Sequence, residues 1–172
     1  PSKVKISNVE KAGLETYAKT VTHTFHFPAE GKRAAVNLIY YTGGADMPPK
    51  HITDQLVGTF GNIPRVGAII EGENGLLSSG LWNSQCYLKL KDDKKFIGHG
   101  NHGEAKKVAQ TLPRANGHFR EWTDAIINNG KTFASFDIGG HLTEIGLSGI
   151  VALKLQQNIN WDGEKMKVIG NS

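Results

Sequence analysis

Three residues with acid–base side chains stand at helical spacing in the last third of the chain. Asp137, His141 and Glu144 occupy positions i, i+4 and i+7, so a helix would place them on one face. A carboxylate that orients an imidazole is a common general-base arrangement. The same residues can instead serve as helix-capping and edge residues, because an acid near a helix N-terminus interacts favourably with the helix dipole. We prefer the capping interpretation.

The segment "GHGNHG", Gly98 to Gly103, has the G-x-G-x-x-G spacing of dinucleotide-binding turns. Such a turn must join a buried parallel strand to the N-terminus of a helix that holds the pyrophosphate. Here a charged stretch, "KDDKKFI", precedes the segment, and a short helix ended by Pro113 follows it. The context therefore predicts a surface loop, with no cofactor bound by this chain.

Four histidines occur as two pairs with a spacing of three, His23 with His26 and His99 with His102. Residues three apart on a strand point to opposite faces, so the first pair cannot share a metal ion. No spacing of His, Cys, Asp or Glu resembles a closed zinc site. We therefore expect solvated histidines and no metal.

The first half of the chain has the alternation of β-strands. Apolar and polar residues alternate in "TVTHTFHF", in "AAVNLIYY" and in "CYLKLK", and a further strand is predicted around Val4 and Ile6. "VGAIIEGENGLLSSGLW" predicts a hairpin with Glu73-Asn74-Gly75 as its turn. Tyr40 and Tyr41 end a strand just before Gly43-Gly44, a place where tyrosines can contact a polar ligand.

The second half has the spacing of helices. In "RANGHFREWTDAIINNG", Phe119, Trp122 and Ile126 form one helical stripe, and Gly130 follows as a stop. "HLTEIGLSGIVALKLQQ" predicts the longest helix, with Gly146 and Gly149 on its apolar face. Each of these glycines costs about 1 kcal/mol relative to alanine, so we expect them to allow close packing on a sheet. Asp162-Gly163 predicts a terminal two-residue hairpin.

Strands that come first and helices that follow predict an α+β fold, because the strand–helix alternation of a doubly wound sheet is missing. We expect a large, mostly antiparallel open β-sheet with helices packed on one face. No linker or repeat divides the chain, so residues 1–172 are predicted to form a single domain.

Composition limits the classes of function. The chain has 172 residues and a net charge of +4, but its lysines are dispersed or lie beside acids, which predicts a soluble protein that binds no nucleic acid. No apolar run approaches the roughly 20 residues that cross a bilayer, so no membrane partner is expected. The single cysteine, Cys86, is predicted to be a buried free thiol. Because the sequence begins at Pro1, we expect it to be cut from a longer chain.

Several segments, in order, resemble the C-terminal part of the glucose–fructose oxidoreductase / inositol dehydrogenase family. "VNLIYYTGGADMPPK" is similar to a strand of that family that leads to Gly-Gly and prolines, and "GAIIEGENGLL" is similar to its glycine-bounded hairpin. The chain is most similar to the bacterial branch of the family, which carries a helix of the form L-T-E…L-G-x-x-A-L followed by x-W-D. The matching residues here are Leu142, Thr143, Glu144, Leu147, Gly149, Ala152, Leu153, Trp161 and Asp162.

The resemblance implies a two-domain enzyme. An N-terminal Rossmann domain would bind NAD or NADP, and this chain would be the C-terminal domain that shapes the substrate pocket and forms the oligomer. The family's catalytic lysine lies in a Glu-Lys-Pro motif, whereas this chain has Glu10-Lys11-Ala12 at another place. "DIGGH", Asp137 to His141, imitates the family's Asp-x-x-x-His helix but belongs to the later helix. No catalytic residue is therefore assigned to this chain.

Two functions are thus expected from the sequence. The first is the substrate and oligomerisation domain of an NAD(P)-dependent oxidoreductase that acts on a sugar, cyclitol or related polyol. In this case the missing Rossmann domain, a small polyol and further copies of the chain are the partners, and the chain is inactive alone. Tyr41, Asp137 and His141 are the candidate substrate contacts. The alternative is a non-catalytic carbohydrate-binding or self-association sheet domain.

Overall fold

The computed structural model describes residues 1–10, 16–43 and 47–170. Within these ranges the chain forms two antiparallel β-sheets and four α-helices, which confirms the predicted α+β class. The strands are divided between a five-stranded and a four-stranded sheet, whereas the sequence suggested one large sheet. No helix in these ranges is both long and apolar enough to cross a membrane.

The elements are numbered in chain order. The strands are β1 (Lys3–Glu10), β2 (Thr20–Phe27), β3 (Val36–Tyr41), β4 (Ala68–Gly72), β5 (Gly75–Ser79), β6 (Cys86–Leu90), β7 (Ile97–Gly98), β8 (Ile159–Asp162) and β9 (Lys167–Ile169). The helices are α1 (Lys50–Phe60), α2 (Gly103–Lys106), α3 (His118–Ile127) and α4 (Phe136–Leu155), and a short 3-10 turn spans Leu81–Asn83.

The chain divides into two compact units, which we describe one at a time. Unit 1 comprises Pro1–Met47 and Ala115–Ser172, and unit 2 comprises Pro48–Arg114. The assignment of residues 1–172 to a single functional domain stays a prediction.

Unit 1 is built on the five-stranded sheet, whose order is β3-β2-β1-β8-β9. Every neighbouring pair is antiparallel. Because directly paired residues share a face, the register of Val4 with Phe25 and Ile159 places three apolar side chains together. The start of the chain is thus joined to its end through the pairing of β1 with β8.

α4 packs on this apolar face of the sheet. Ala152 of α4, Val4, Phe25, Ile159 and Trp161 form one buried cluster. The helix begins after Ser135, whose side chain accepts a hydrogen bond from the Ile138 N–H. Ser135, and not Asp137, is therefore the N-cap, while Asp137 lies in the first turn where the helix dipole favours an acid.

The two central glycines of α4 have different surroundings. A Cβ atom added at Gly149 would lie 3.0 Å from both His23 Nδ1 and Phe25 Cζ, so the predicted close packing on the sheet is confirmed at this position. A Cβ atom added at Gly146 would meet no atom within 4 Å. The expectation of close packing is therefore wrong for Gly146, which lies at an open space.

Unit 2 is built on the four-stranded antiparallel sheet, in the order β4-β5-β6-β7. The predicted hairpin is confirmed: Gly72 pairs with Gly75, which leaves Glu73 and Asn74 as the turn. α1 contributes Ile52 and Leu56 to the buried core of this unit, together with Leu76 and Phe96. Cys86, predicted to be buried, is half-buried.

The terminal hairpin of unit 1 has a longer turn than the sequence suggested. Asp162 pairs with Lys167, so residues 163–166 form a four-residue connection and the predicted two-residue turn is wrong. The Asp162 carboxylate accepts a hydrogen bond from the Lys165 N–H at 3.0 Å, which closes this turn and lowers the pKa of Asp162 below its usual value. Local Asp bonding of this kind competes with the tight Asp-Gly turn.

Candidate functional site

Asp137 and His141 lie on the first two turns of α4, and both are exposed. The nearest carboxylate to the imidazole belongs to Glu144, whose Oε2 lies 3.6 Å from His141 Nδ1. The Trp161 Nε1–H donates to Glu144 Oε1 at 2.7 Å, which fixes that carboxylate. A carboxylate therefore does stand beside the histidine, but it is Glu144 of the next turn and not Asp137.

Tyr41 lies on the face of the sheet opposite to α4, because it pairs with Thr22 and alternates with Tyr40. We call this side the polar face. Its residues pair in rows across β1, β2 and β3. They are Lys3, Lys5, Ser7, Thr22, Thr24, His26, Asn37, Ile39 and Tyr41. His26 Nδ1 and Asn37 Oδ1 are 2.8 Å apart, so a hydrogen bond links two neighbouring strands.

The three candidate substrate contacts therefore do not converge. Tyr41 lies on the polar face, whereas Asp137 and His141 lie on the helix that packs against the other face. Their contact with a substrate stays a prediction.

A cavity of about 390 Å³ lies in unit 1 between α4 and the sheet. The helix contributes Leu142, Ile145 and Gly146 to its wall, and the strands contribute His23, Leu38 and Tyr40. Within the described ranges no Asp, Glu, Lys or Arg lines it. α4 contacts β1 and β2, whereas Leu38 and Tyr40 of the edge strand β3, which line the cavity, are exposed.

His23 is the polar group most deeply buried in the wall of this cavity. It retains 5 % of its accessible surface, and its Nδ1 has no hydrogen-bond partner among the described residues. Its ring stacks on Phe25 at 5.9 Å between centroids. Burial lowers the pKa of His23, because desolvation disfavours the imidazolium. His23 is therefore a neutral imidazole at physiological pH, and the prediction that it is solvated is wrong.

His23 was missed by sequence reasoning as a site residue, although a signal was present. The alternation of β2 places it between Val21 and Phe25 on the apolar face. Because Val21 and Phe25 face the core, a histidine between them on the same face is buried with them.

The "GHGNHG" segment of unit 2 has a structural role. β7 pairs with β6 in antiparallel fashion, and the four-residue helix α2 follows it, unlike the parallel strand and long helix of a dinucleotide turn. His102 is buried, which contradicts the expectation that it is solvated. Its Nε2 donates to Asp93 Oδ2 at 2.9 Å, and its Nδ1 accepts the Glu104 N–H at 3.1 Å. The bond to Asp93 ties the loop to the preceding turn, and the bond from Glu104 caps α2.

Replacement of His102 by alanine is expected to destabilise unit 2 by about 2 kcal/mol, because an N-cap and a buried hydrogen bond are lost together. Urea unfolding measures the change, and His99→Ala, at an exposed position of the same loop, is the matched control. The hydrogen bonds from His102 and then from the Leu90 N–H hold the pKa of Asp93 below its usual value.

The depressed pKa of Asp93 gives this contact a pH dependence. A carboxylate with a lower pKa in the folded state stabilises that state fully above its unfolded pKa, and the stabilisation is lost as pH falls through the folded value. We therefore expect a loss of stability below about pH 4 that is smaller in Asp93→Asn. An unchanged acid profile in Asp93→Asn would contradict this role.

α3 exposes its apolar side. Phe119, Trp122 and Ile126 are 85 %, 61 % and 65 % exposed, and no residue of α3 is buried. We call these three residues the α3 stripe. The predicted helical spacing is confirmed, but among the described residues none of the three belongs to a buried core cluster. At the start of α4, Phe136 and Ile138 are also exposed.

No group of three or more His, Cys, Asp and Glu residues that could hold a metal ion occurs in the described part of the chain. Lys11 and Ala12 of the Glu10-Lys11-Ala12 segment lie outside the described residues, as does Gly44 of the Gly43-Gly44 pair.

Comparisons with family models, with curated proteins and with solved structures find no match to this chain. The interpretation of its function therefore depends on the geometry above and on the resemblance of its sequence segments.

Proposed function

We propose that this chain is the substrate and oligomerisation domain of a two-domain NAD(P)-dependent oxidoreductase that acts on a sugar, cyclitol or related polyol. In this proposal a separate nucleotide-binding domain holds NAD or NADP and supplies the catalytic lysine. The present chain contributes substrate contacts and an interface, and it is inactive alone.

The observation that carries the proposal is the α3 stripe. A ten-residue helix is marginal in water by itself, since most helices depend on the burial of one apolar face. α3 has only surface support within the described residues, such as the ion pair of Arg120 with Asp124 at 3.0 Å. Large exposed apolar patches mark interaction sites in soluble proteins. A second domain that covers Phe119 and Trp122 would supply the missing burial.

If a second domain covers the α3 stripe, Asp137 and His141 would lie near the boundary between the two domains. Asp137 and His141 alternate with exposed apolar residues at the start of α4, including Phe136 and Ile138. Ligand sites are common where two domains meet. If a nucleotide-binding domain covers this region, both side chains border the cleft in which a polyol would bind.

The polar face supports two parts of the proposal, namely that the chain forms an oligomer and that its substrate is a polyol. Lys5, Thr24, His26 and Asn37 present hydrogen-bonding groups from neighbouring strands. Tyr41 belongs to this face. A second copy of the chain could pair with such a surface, and hydroxyl groups of a polyol suit the same donors and acceptors.

The experiment replaces Trp122 by alanine in two contexts, this chain alone and the protein encoded by the complete reading frame that contains it. In the chain alone we expect a change in unfolding free energy below about 0.5 kcal/mol, because Trp122 is exposed. In the longer protein we expect a loss of at least about 2 kcal/mol, as at buried interface tryptophans. Chemical unfolding measures both values.

Thr123→Ala, at an exposed polar position of the same helix, is the matched control and should have a small effect in both contexts. An equally small effect of Trp122→Ala in both proteins would argue against a covering domain.

The second candidate is a non-catalytic self-association or carbohydrate-binding sheet domain. The polar face favours it, because that surface needs no nucleotide domain to bind a sugar or another copy. Light scattering and a sugar-binding screen on this chain separate the candidates. A monomer that binds a sugar tightly by itself supports the second candidate, and an oligomer that binds no sugar by itself supports the first.

A further inference from the structure

The cavity between α4 and the sheet of unit 1 is a second candidate binding site. We propose that it binds a small, uncharged, largely apolar molecule with one hydroxyl group, which forms a hydrogen bond with the His23 imidazole. The site lies on the α4 side of the sheet, so it does not rest on the proposed oxidoreductase function.

The size and lining of the cavity define this class of ligand. Its volume of about 390 Å³ falls in the range of roughly 300–1,000 Å³ that is usual for small-molecule sites. Its walls include Leu38, Leu142 and Ile145, and no charged side chain lines it among the described residues. A charged ligand would lose its hydration there without an ionic partner, which is strongly unfavourable. An uncharged ligand avoids this loss.

His23 supplies the polar contact. Buried polar atoms in folded proteins nearly always have a hydrogen-bond partner, yet Nδ1 of this ring has none among the described residues. The ring edge that carries Nδ1 and Cε1 faces Gly149, at 3.0 and 3.3 Å from the position of an added Cβ atom. His23 is also part of the cavity wall, so its ring is the polar group that we assign to the ligand.

The charge state of His23 fits a hydroxyl group. Burial lowers the pKa of the imidazole, so the ring is neutral and has one donor and one acceptor nitrogen. A hydroxyl group can pair with an imidazole nitrogen in either tautomer, because it both donates and accepts.

Gly146 keeps the space open. A Cβ atom at this position would meet nothing within 4 Å, and Gly146 itself is part of the cavity wall. A leucine side chain at position 146 would occupy the space that the ligand needs. It would also remove a helix-interior glycine, so the variant is expected to fold.

The experiment uses two fluorinated probes of similar shape, 4-fluorophenol and 4-fluorotoluene, and follows their binding by ¹⁹F NMR. The proteins are the 172-residue chain, Gly146→Leu and His23→Phe, with folding checked by circular dichroism. His23→Phe keeps an aromatic ring on Phe25 but removes both ring nitrogens. We expect both probes to bind the unsubstituted chain, and binding to be lost in Gly146→Leu.

In His23→Phe we expect the affinity for the phenol, relative to that for the toluene, to fall at least about fivefold, because the buried hydroxyl loses its partner. Failure of both probes to bind the unsubstituted chain at millimolar concentration would overturn the proposal. Binding that persists in Gly146→Leu would place the probes elsewhere and overturn the site. An unchanged ratio of affinities in His23→Phe would overturn the role of the imidazole.

Discussion

Trp161→Ala is expected to destabilise the chain by about 3–5 kcal/mol, the usual range for deletion of a large aromatic side chain from a core. Trp161 belongs to the cluster that joins α4 to β1 and β8, with Val4 and Ile159 as neighbours. Its Nε1–H also donates to Glu144 at 2.7 Å. The substitution therefore removes apolar burial and leaves a largely buried carboxylate without its main donor. Equilibrium unfolding in urea gives the free energy.

Trp161→Phe separates the two contributions, because it keeps an aromatic ring and removes the N–H. A hydrogen bond to a charged group contributes about 1.5–3 kcal/mol, so the phenylalanine variant should lose about 1.5 kcal/mol. Gly163 lies beside this bond, and a Cβ atom there would come within 2.9 Å of Glu144 Oε1. A loss of unfolding free energy below about 1 kcal/mol for Trp161→Ala would mean that Trp161 of β8 contributes little to the buried core.

Leucine is expected to have opposite effects at the two central glycines of α4. At Gly149 a side chain would be driven into His23 and Phe25, which lie 3.0 Å from the first carbon atom. Overpacking of this kind costs about 1–3 kcal/mol and sometimes more, and we expect about 3 kcal/mol. At Gly146 the side chain enters the cavity, so the gain in helix propensity of about 1 kcal/mol is retained.

The two leucine variants control for each other, since they have the same composition, the same helix and positions one turn apart. Thermal or urea unfolding of both proteins gives the difference, which we expect to be about 4 kcal/mol. Equal effects at the two positions would show that α4 does not lie on the sheet through its Gly149 side.

Local pattern was enough to predict most of the elements. Alternation predicted β1, β2, β3 and β6, because a strand with one covered face requires a period of two. Helical spacing predicted α3 and α4 for the same kind of reason. α1 was missed: Pro48 and Pro49 indicate a loop, and Gly58 and four β-branched residues weaken the helical signal. Its helix is stabilised instead by the burial of Ile52 and Leu56.

Long-range pairing could not be predicted from these patterns. The strands divide into two sheets, and in one of them β8 pairs with β1, about 150 residues earlier in the chain. Alternation carries no information on which strands become neighbours. The cavity could not be predicted from the sequence for the same reason. It depends on how far α4 extends over β3, and only packing decides that Gly146 lies at open space while Gly149 is in close contact.

The candidate residues show the same limit. Helical spacing did bring His141 close to a carboxylate, but a donor from Trp161 on a distant strand determines which carboxylate is fixed there. Tyr41 was placed correctly at a strand end, yet its face follows from the register with Thr22. Chemistry that depends on convergence of side chains from several elements requires the fold.

Our central proposal is that this chain is the substrate and oligomerisation domain of an NAD(P)-dependent oxidoreductase and that a separate domain binds the nucleotide. The most direct test is titration of NAD(H) and NADP(H), followed by nicotinamide fluorescence, against this chain and against the protein encoded by its complete reading frame. We predict saturable binding by the longer protein and none by the chain alone. Saturable binding by the 172 residues alone, or binding by neither protein, would contradict the claim.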